Sequence, residues 1–125
     1  MTVEKAIEIF DSERKNSVPL AQKLQWLSQV EYKISKEILE IRGGKPFEGY
    51  SDNTDVETVL LCPPEYCEIY GLYLNMKLDY MNGEIQRYNN SAALFNLIFK
   101  ELADYVNRNQ KVSHSSEIKV GGLYV

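Results

Sequence analysis

The sequence is poor in the residues that most catalytic and metal sites depend on. It has one histidine and two cysteines in 125 residues. Cys62 and Cys67 flank Pro-Pro-Glu-Tyr and lack the second ligand pair that a structural zinc needs, so they read as free buried thiols rather than a disulfide. His114 stands in a Ser-rich stretch with no second histidine to complete a metal pair. There is no phosphate-cradling Walker loop, dinucleotide fingerprint or Gly-x-Ser-x-Gly elbow. The expectation is a protein that is not an enzyme, with no catalytic residue, no metal and no cofactor.

Other absences narrow the setting. No apolar run approaches the roughly 20 residues that span a bilayer, so no membrane role is expected. The opening MTVEKAIEIF interleaves acids with apolar residues and has neither the basic start nor the apolar stretch of a secretory signal, which points to a cytosolic chain. The sequon Asn89-Asn90-Ser91 then carries no glycosylation meaning. The net charge is −4, and the 14 basic residues are scattered. A tight nucleic-acid footprint needs a basic face, and none is apparent, although a neutral or acidic wall suits DNA that must pass without being gripped.

What is present is helical periodicity. Thr2 is placed to cap a short helix with Val3, Ala6, Ile7 and Phe10 on one face. A longer helix follows, with Ser17 as cap and Pro19 in its first turn. Leu20, Leu24, Leu27, Val30 or Glu31, Ile34, Ile38 and Ile41 recur at threes and fours until Gly43-Gly44. Residues 43–61 carry three glycines, a proline and several turn formers. They form a long loop with strand-like composition only in Glu57-Thr58-Val59-Leu60-Leu61. Its small apolar content predicts a mobile contact element.

The next two helices carry more apolar surface than one core requires. After Pro64, a polar arc holds Glu65, Glu68, Asn75, Asp79 and Asn82, while Tyr66, Ile69, Tyr70, Tyr73, Leu74, Leu78, Tyr80 and Met81 cover about 200°. Asp79 and Glu84 read as a solvated helix edge. Asn89-Asn90-Ser91 reads as a hinge, an asparagine closing one helix and Asn90 or Ser91 capping the next. Beyond it Leu94, Phe95, Leu97, Ile98, Phe99, Leu102, Ala103, Tyr105 and Val106 continue the apolar pattern. Tyr80 and Tyr88 would face Phe95 and Phe99 across an antiparallel pair. Such a wide arc fits either a central helix of a small bundle or a surface shared with a neighbouring subunit, where tyrosine is enriched.

From Arg108 the chain turns polar, and Glu117-Ile118-Lys119-Val120 alternates before Gly121-Gly122. This stretch is either a frayed end or an arm that adds a strand to a partner and buries Ile118 and Val120. The fold class expected is mainly α: a small helical bundle with a central antiparallel hairpin and one long loop in residues 1–112, and an extended C-terminal arm in 113–125.

Residues 60–108 carry a resemblance. Leu-Leu-x-Pro-x-x-Tyr, a tyrosine-rich helix, Asp-Tyr-x-Asn-Gly-Glu-x-x-Arg-Tyr-Asn-Asn-Ser, Phe-Asn and Ala-Asp-Tyr-x-Asn-Arg are similar to the head-tail connector, or adaptor, proteins of long-tailed phages and prophages. The helix at 20–42 resembles them more loosely. The resemblance implies a non-catalytic, mostly helical virion protein at the head-tail junction, assembled in the host cytoplasm. It also implies a ring of identical subunits docked under the portal protein, a next neck or tail-completion protein as neighbour, and DNA passing through without sequence-specific binding. The residues expected at interfaces are Tyr66, Tyr70, Tyr73, Tyr80, Tyr88, Phe95, Phe99, Ile118 and Val120. Two other classes stay open: a small helical regulatory or nucleic-acid-binding module of a mobile element, which would need a basic recognition helix, and a metal-dependent enzyme using Glu65, Glu68 or Asp79.

Overall fold

The structure is a computed structural model that describes the backbone of residues 1–118 and the side chains of residues 1–109 except Arg42. It is mainly helical, a small bundle whose middle is an antiparallel hairpin.

Helix α1, Val3–Glu13, buries Val3, Ala6, Ile7 and Phe10, the face read from the sequence. The first four amides of a helix have no partner inside it. Here each is satisfied: Lys5 N donates to Thr2 Oγ1 and Ala6 N to Thr2 O, while Val3 N and Glu4 N donate to the carbonyls of Thr58 and Val56. The far end of the long loop thus completes the start of α1. The strand-like segment goes no further than one antiparallel bridge, Thr2 with Val59.

Helix α2, Leu20–Ile34, continues through a π turn, Ser35–Leu39, and a 3-10 turn, Glu40–Arg42, to Gly43, whose φ of 90° closes it in the left-handed region. Pro19 itself is the N-cap and no side chain caps the helix, so the capping role expected of Ser17 is not filled. The wide turn begins at Ser35, whose hydroxyl donates to Glu40 and accepts from the Phe47 amide, tying the helix end to the loop.

A 3-10 turn, Pro64–Tyr66, leads into α3, Glu68–Met81, and α4 runs Ile85–Ile118. The chain reverses at Asn82-Gly83-Glu84, seven residues earlier than the hinge expected at Asn89-Asn90-Ser91. Gly83 takes φ 71°, a conformation that glycine adopts without a Cβ penalty. Asn89, Asn90 and Ser91 lie inside α4, because two asparagines and a serine cost a helix no more than about 0.7 kcal/mol each, and packing overrides that. Residues 113–118 continue α4 in place of the expected extended conformation. Residues 119–125, Val120 among them, lie outside the described residues.

Helix α3 packs on α1, on α2 and most extensively on α4. Ile69, Tyr70 and Leu74 are fully buried with Phe10, Leu27 and Leu102. Most of its wide apolar arc is therefore used within the chain, while Tyr80 and Met81 at its end stay exposed. Along the hairpin, ring pairs Tyr66–Tyr105, Tyr73–Phe95 and Tyr80–Tyr88 meet with centroids 5.0, 5.3 and 5.6 Å apart.

Candidate interaction surface and its buried polar supports

Two buried carboxylates hold the scaffold. Glu31, on the core face of α2, is 0% exposed. Its Oε1 accepts from the Tyr70 hydroxyl at 2.6 Å, and its Oε2 accepts from the Tyr50 hydroxyl at 2.7 Å and the Leu61 amide at 2.9 Å. Tyr70 in turn accepts from the Cys62 amide at 2.9 Å. One side chain thus joins α2, α3 and both halves of the loop. Burial lifts the Glu31 carboxyl above the usual glutamate range, with the bonds from Tyr70, Leu61 and Tyr50 opposing it. Burial and the neighbouring Glu31 charge push both tyrosines far up. Burial likewise raises Cys62 and Cys67, which are free thiols as expected, with the Cys67 Sγ donating to the Cys62 and Pro63 carbonyls.

Asp79, read from the sequence as part of a solvated edge, is 1% exposed. Its Oδ1 pairs with Arg14 at 2.6 Å and its Oδ2 accepts from the Ser91 hydroxyl at 3.0 Å. The guanidinium also reaches Asn75 Oδ1 at 3.4 Å. Asp79 thus clasps the end of α1 and the first turns of α4 to α3. The polar triplet in α4 is explained: Ser91 meets Asp79, and Asn89 and Asn90 face outward.

The long loop, expected to be a mobile contact element, makes anchoring contacts at several points along its length. Tyr50 N donates to Ser28, Phe47 N donates to Ser35, and Phe47 stacks edge-on between Tyr32 and Tyr50 with both centroid distances 4.9 Å. Gly49, at φ 102°, passes so close to the Tyr32 hydroxyl that a Cβ there would lie 2.7 Å from it. Hydrogen bonds and three aromatic rings supply what aliphatic content does not.

Comparison with known protein families, curated proteins and solved structures finds no match.

The nine expected interface residues divide. Tyr70 and Phe95 are consumed by the chain's own core. Tyr66, Tyr73, Tyr88 and Phe99 are half-buried in the hairpin seam, and Tyr80 is 66% exposed. Ile118 ends α4 with its side chain outside the described set, as Val120 is altogether. Of the apolar residues at least half exposed on the hairpin, Met81, Leu94 and Leu97 were counted in the wide arcs but not among the expected interface residues, and Ile85 was not named; Leu20, Ile41 and Val59 are equally exposed elsewhere. Leu94 and Leu97 lie on the back of α4, away from Phe95 and Leu102. For Leu94 and Leu97 the signal was the spread of apolar positions in residues 94–106 over about 240°, more than one seam absorbs.

The acids proposed for a metal enzyme do not converge. Asp79 is committed to Arg14 and Ser91, and Glu65 accepts from the Tyr105 hydroxyl at 3.2 Å. Among the described residues no three metal-ligating side chains come together, and no helix is long and apolar enough to cross a membrane.

Proposed function

We propose that the chain is a structural subunit of a phage or prophage particle, a ring-forming head-tail connector that docks on the portal and lets DNA pass without reading its sequence. The observation that carries this reading is the exposed apolar set Tyr80, Met81, Ile85, Leu94 and Leu97 on the hairpin. It lies within residues 60–108, the stretch that resembles the connectors. Large apolar groups exposed on the hairpin fit a surface completed by another protein. In this reading the hairpin flanks contact neighbouring subunits, and the portal and the next neck protein cover the two ends. Free association is weak because the portal ring is the natural template.

Native mass spectrometry of the chain mixed with purified portal from the same genome tests the reading. The expected result is a closed multi-copy assembly on the portal. A chain that stays monomeric beside the portal at high concentration overturns it.

A further inference from the structure

The back of α4 carries a stripe that the fold leaves uncovered. Arg87, Asn90, Leu94, Leu97, Glu101 and Asp104 recur at threes and fours, and all are exposed. At about 100° per residue they fall within an arc of about 100°, centred about 120° away from the Phe95 and Leu102 side that enters the core. Leu94 and Leu97, 51% and 52% exposed, stand in the middle, and polar groups flank them on both sides. This spacing is that of a narrow helix-pairing seam.

We propose that a second copy of this chain covers the stripe, α4 against α4, antiparallel about a two-fold axis between Phe95 and Asn96. The order of charges along the stripe selects that partner. It runs from a cation and an amide, through two leucines, to two acids. Reversed on a second copy, each layer meets its complement. Leu94 packs on Leu97 of the second copy, Asn90 donates to Glu101, and Arg87 pairs with Asp104, each contact being made twice. A parallel pairing in register would instead set Arg87 on Arg87, Glu101 on Glu101 and Asp104 on Asp104, like charge against like. The helices overlap from Ile85 to Val106, about 32 Å.

The remaining charges nearby fit the same arrangement. Lys100 lies at the edge of the stripe, 3.3 Å from Asp104 of its own helix and level with Ala93 of the second copy. Arg108 comes level with the Gly83 turn, beside Glu84. Arg87 sits on the edge nearest α3, at the rim of a groove it shares with Glu13 and with the already paired Arg14 and Asp79. Its own bond, to Glu84 at 3.2 Å, joins exposed groups, as does that of Lys100 to Asp104, and such pairs exchange partners at little cost. Only the leucine layers are apolar, so the pair is weak. A two-fold contact uses the same patch on both copies and stops at two. It stands independently of the connector reading. Where both hold, the pair is the free form, and it parts when Leu94 and Leu97 enter the ring.

Sedimentation equilibrium of the parent, Arg87→Glu, Asp104→Arg and the variant carrying both changes tests the pairing, with circular dichroism melts to establish that each chain is folded. Either single change sets like charges together at both ends of the antiparallel pair, and the double change restores opposite charges. In a parallel pair neither single change would add repulsion. The expected result is a monomer–dimer equilibrium for the parent, weakened about tenfold by each single change and returned to within about threefold of the parent by the double. A parent that is monomeric up to about 1 mM overturns the proposal, as do folded single variants that pair like the parent or a folded double variant that pairs no better than the singles. If one single change misfolds the chain, the other carries the comparison with the parent. Portal assembly by a parent that is monomeric alone overturns the pairing and leaves the connector reading standing. Charge-dependent pairing of the free chain without portal assembly does the reverse.

Discussion

Removing Arg14 tests whether the Asp79 clasp orders the bundle. Arg14→Ala leaves a carboxylate that is 2% exposed at its side chain with the Ser91 hydroxyl but without its cation. Breaking a fully buried ion pair costs about 3 to 5 kcal/mol. The Arg14 side chain is 22% exposed, so water recovers part of the loss, and about 2 to 3 kcal/mol is expected. For a domain of this size that lowers the melting temperature by roughly 8 to 12 °C. The charge left unpaired, rather than the lost contact, causes most of the damage. Arg14→Met with Asp79→Leu should therefore be more stable than Arg14→Met alone, with a coupling energy of about 1 to 3 kcal/mol. Urea and thermal melts followed by circular dichroism measure both. An Arg14→Ala protein within about 0.5 kcal/mol of the parent, or a double variant equal to the sum of its singles, refutes the reasoning.

Because Glu31 is raised above its ordinary 4.5 by burial, the folded state holds that proton more tightly than the unfolded chain. Stability from this site is full below pH 4.5 and is lost as pH rises through the folded value. Glu31→Gln should flatten that part of the curve, and urea melts of both proteins between about pH 4 and pH 7 with the same slope would contradict it. Gly83→Ala meets no neighbour within 4 Å, so its cost is conformational, about 1 kcal/mol, read from the urea midpoint. Tyr70→Asp should abolish cooperative unfolding, because it puts a charge where a fully buried ring stood, whereas Tyr80→Asp on the exposed flank should shift stability by only about 1 kcal/mol. Thermal melts that rank the two equally would show that the core and the flank are wrongly divided.

The helices α1 to α3 were legible because their apolar spacing and punctuation agree: Thr2 caps, Gly43 closes, and Val3, Ala6, Ile7 and Phe10 fall on one side. The hinge was misplaced because Asn89, Asn90 and Ser91 were read as caps although they cost a helix little, while Asn82-Gly83, the stronger turn signal and the pair whose glycine takes positive φ, was passed over. Whether Val30 or Glu31 faced the core was left open by spacing, and both do: a carboxylate enters an apolar interior only when donors await it, here from residues 19 to 39 positions away in sequence. The same holds for Asp79 and Arg14, 65 positions apart. No local pattern encodes such partners, which is also why the loop's anchoring contacts were not foreseen. The tyrosines were singled out as interface groups, but most of them pack within the chain, and the outward apolar residues of the hairpin are Leu94, Leu97 and those of its tip.

Sedimentation velocity of the parent and of a Leu94→Glu, Leu97→Glu double variant, each alone and with portal, tests most directly whether the hairpin is a subunit contact surface. Leu94 and Leu97 are 51% and 52% exposed, so the variant should keep the parent's circular dichroism spectrum and melt within about 1 kcal/mol of it. The expected result is that the parent self-associates, weakly alone and into a closed assembly on the portal, while the folded variant stays monomeric in both conditions. A parent that remains monomeric beside the portal, or a variant that assembles as well as the parent, would contradict it.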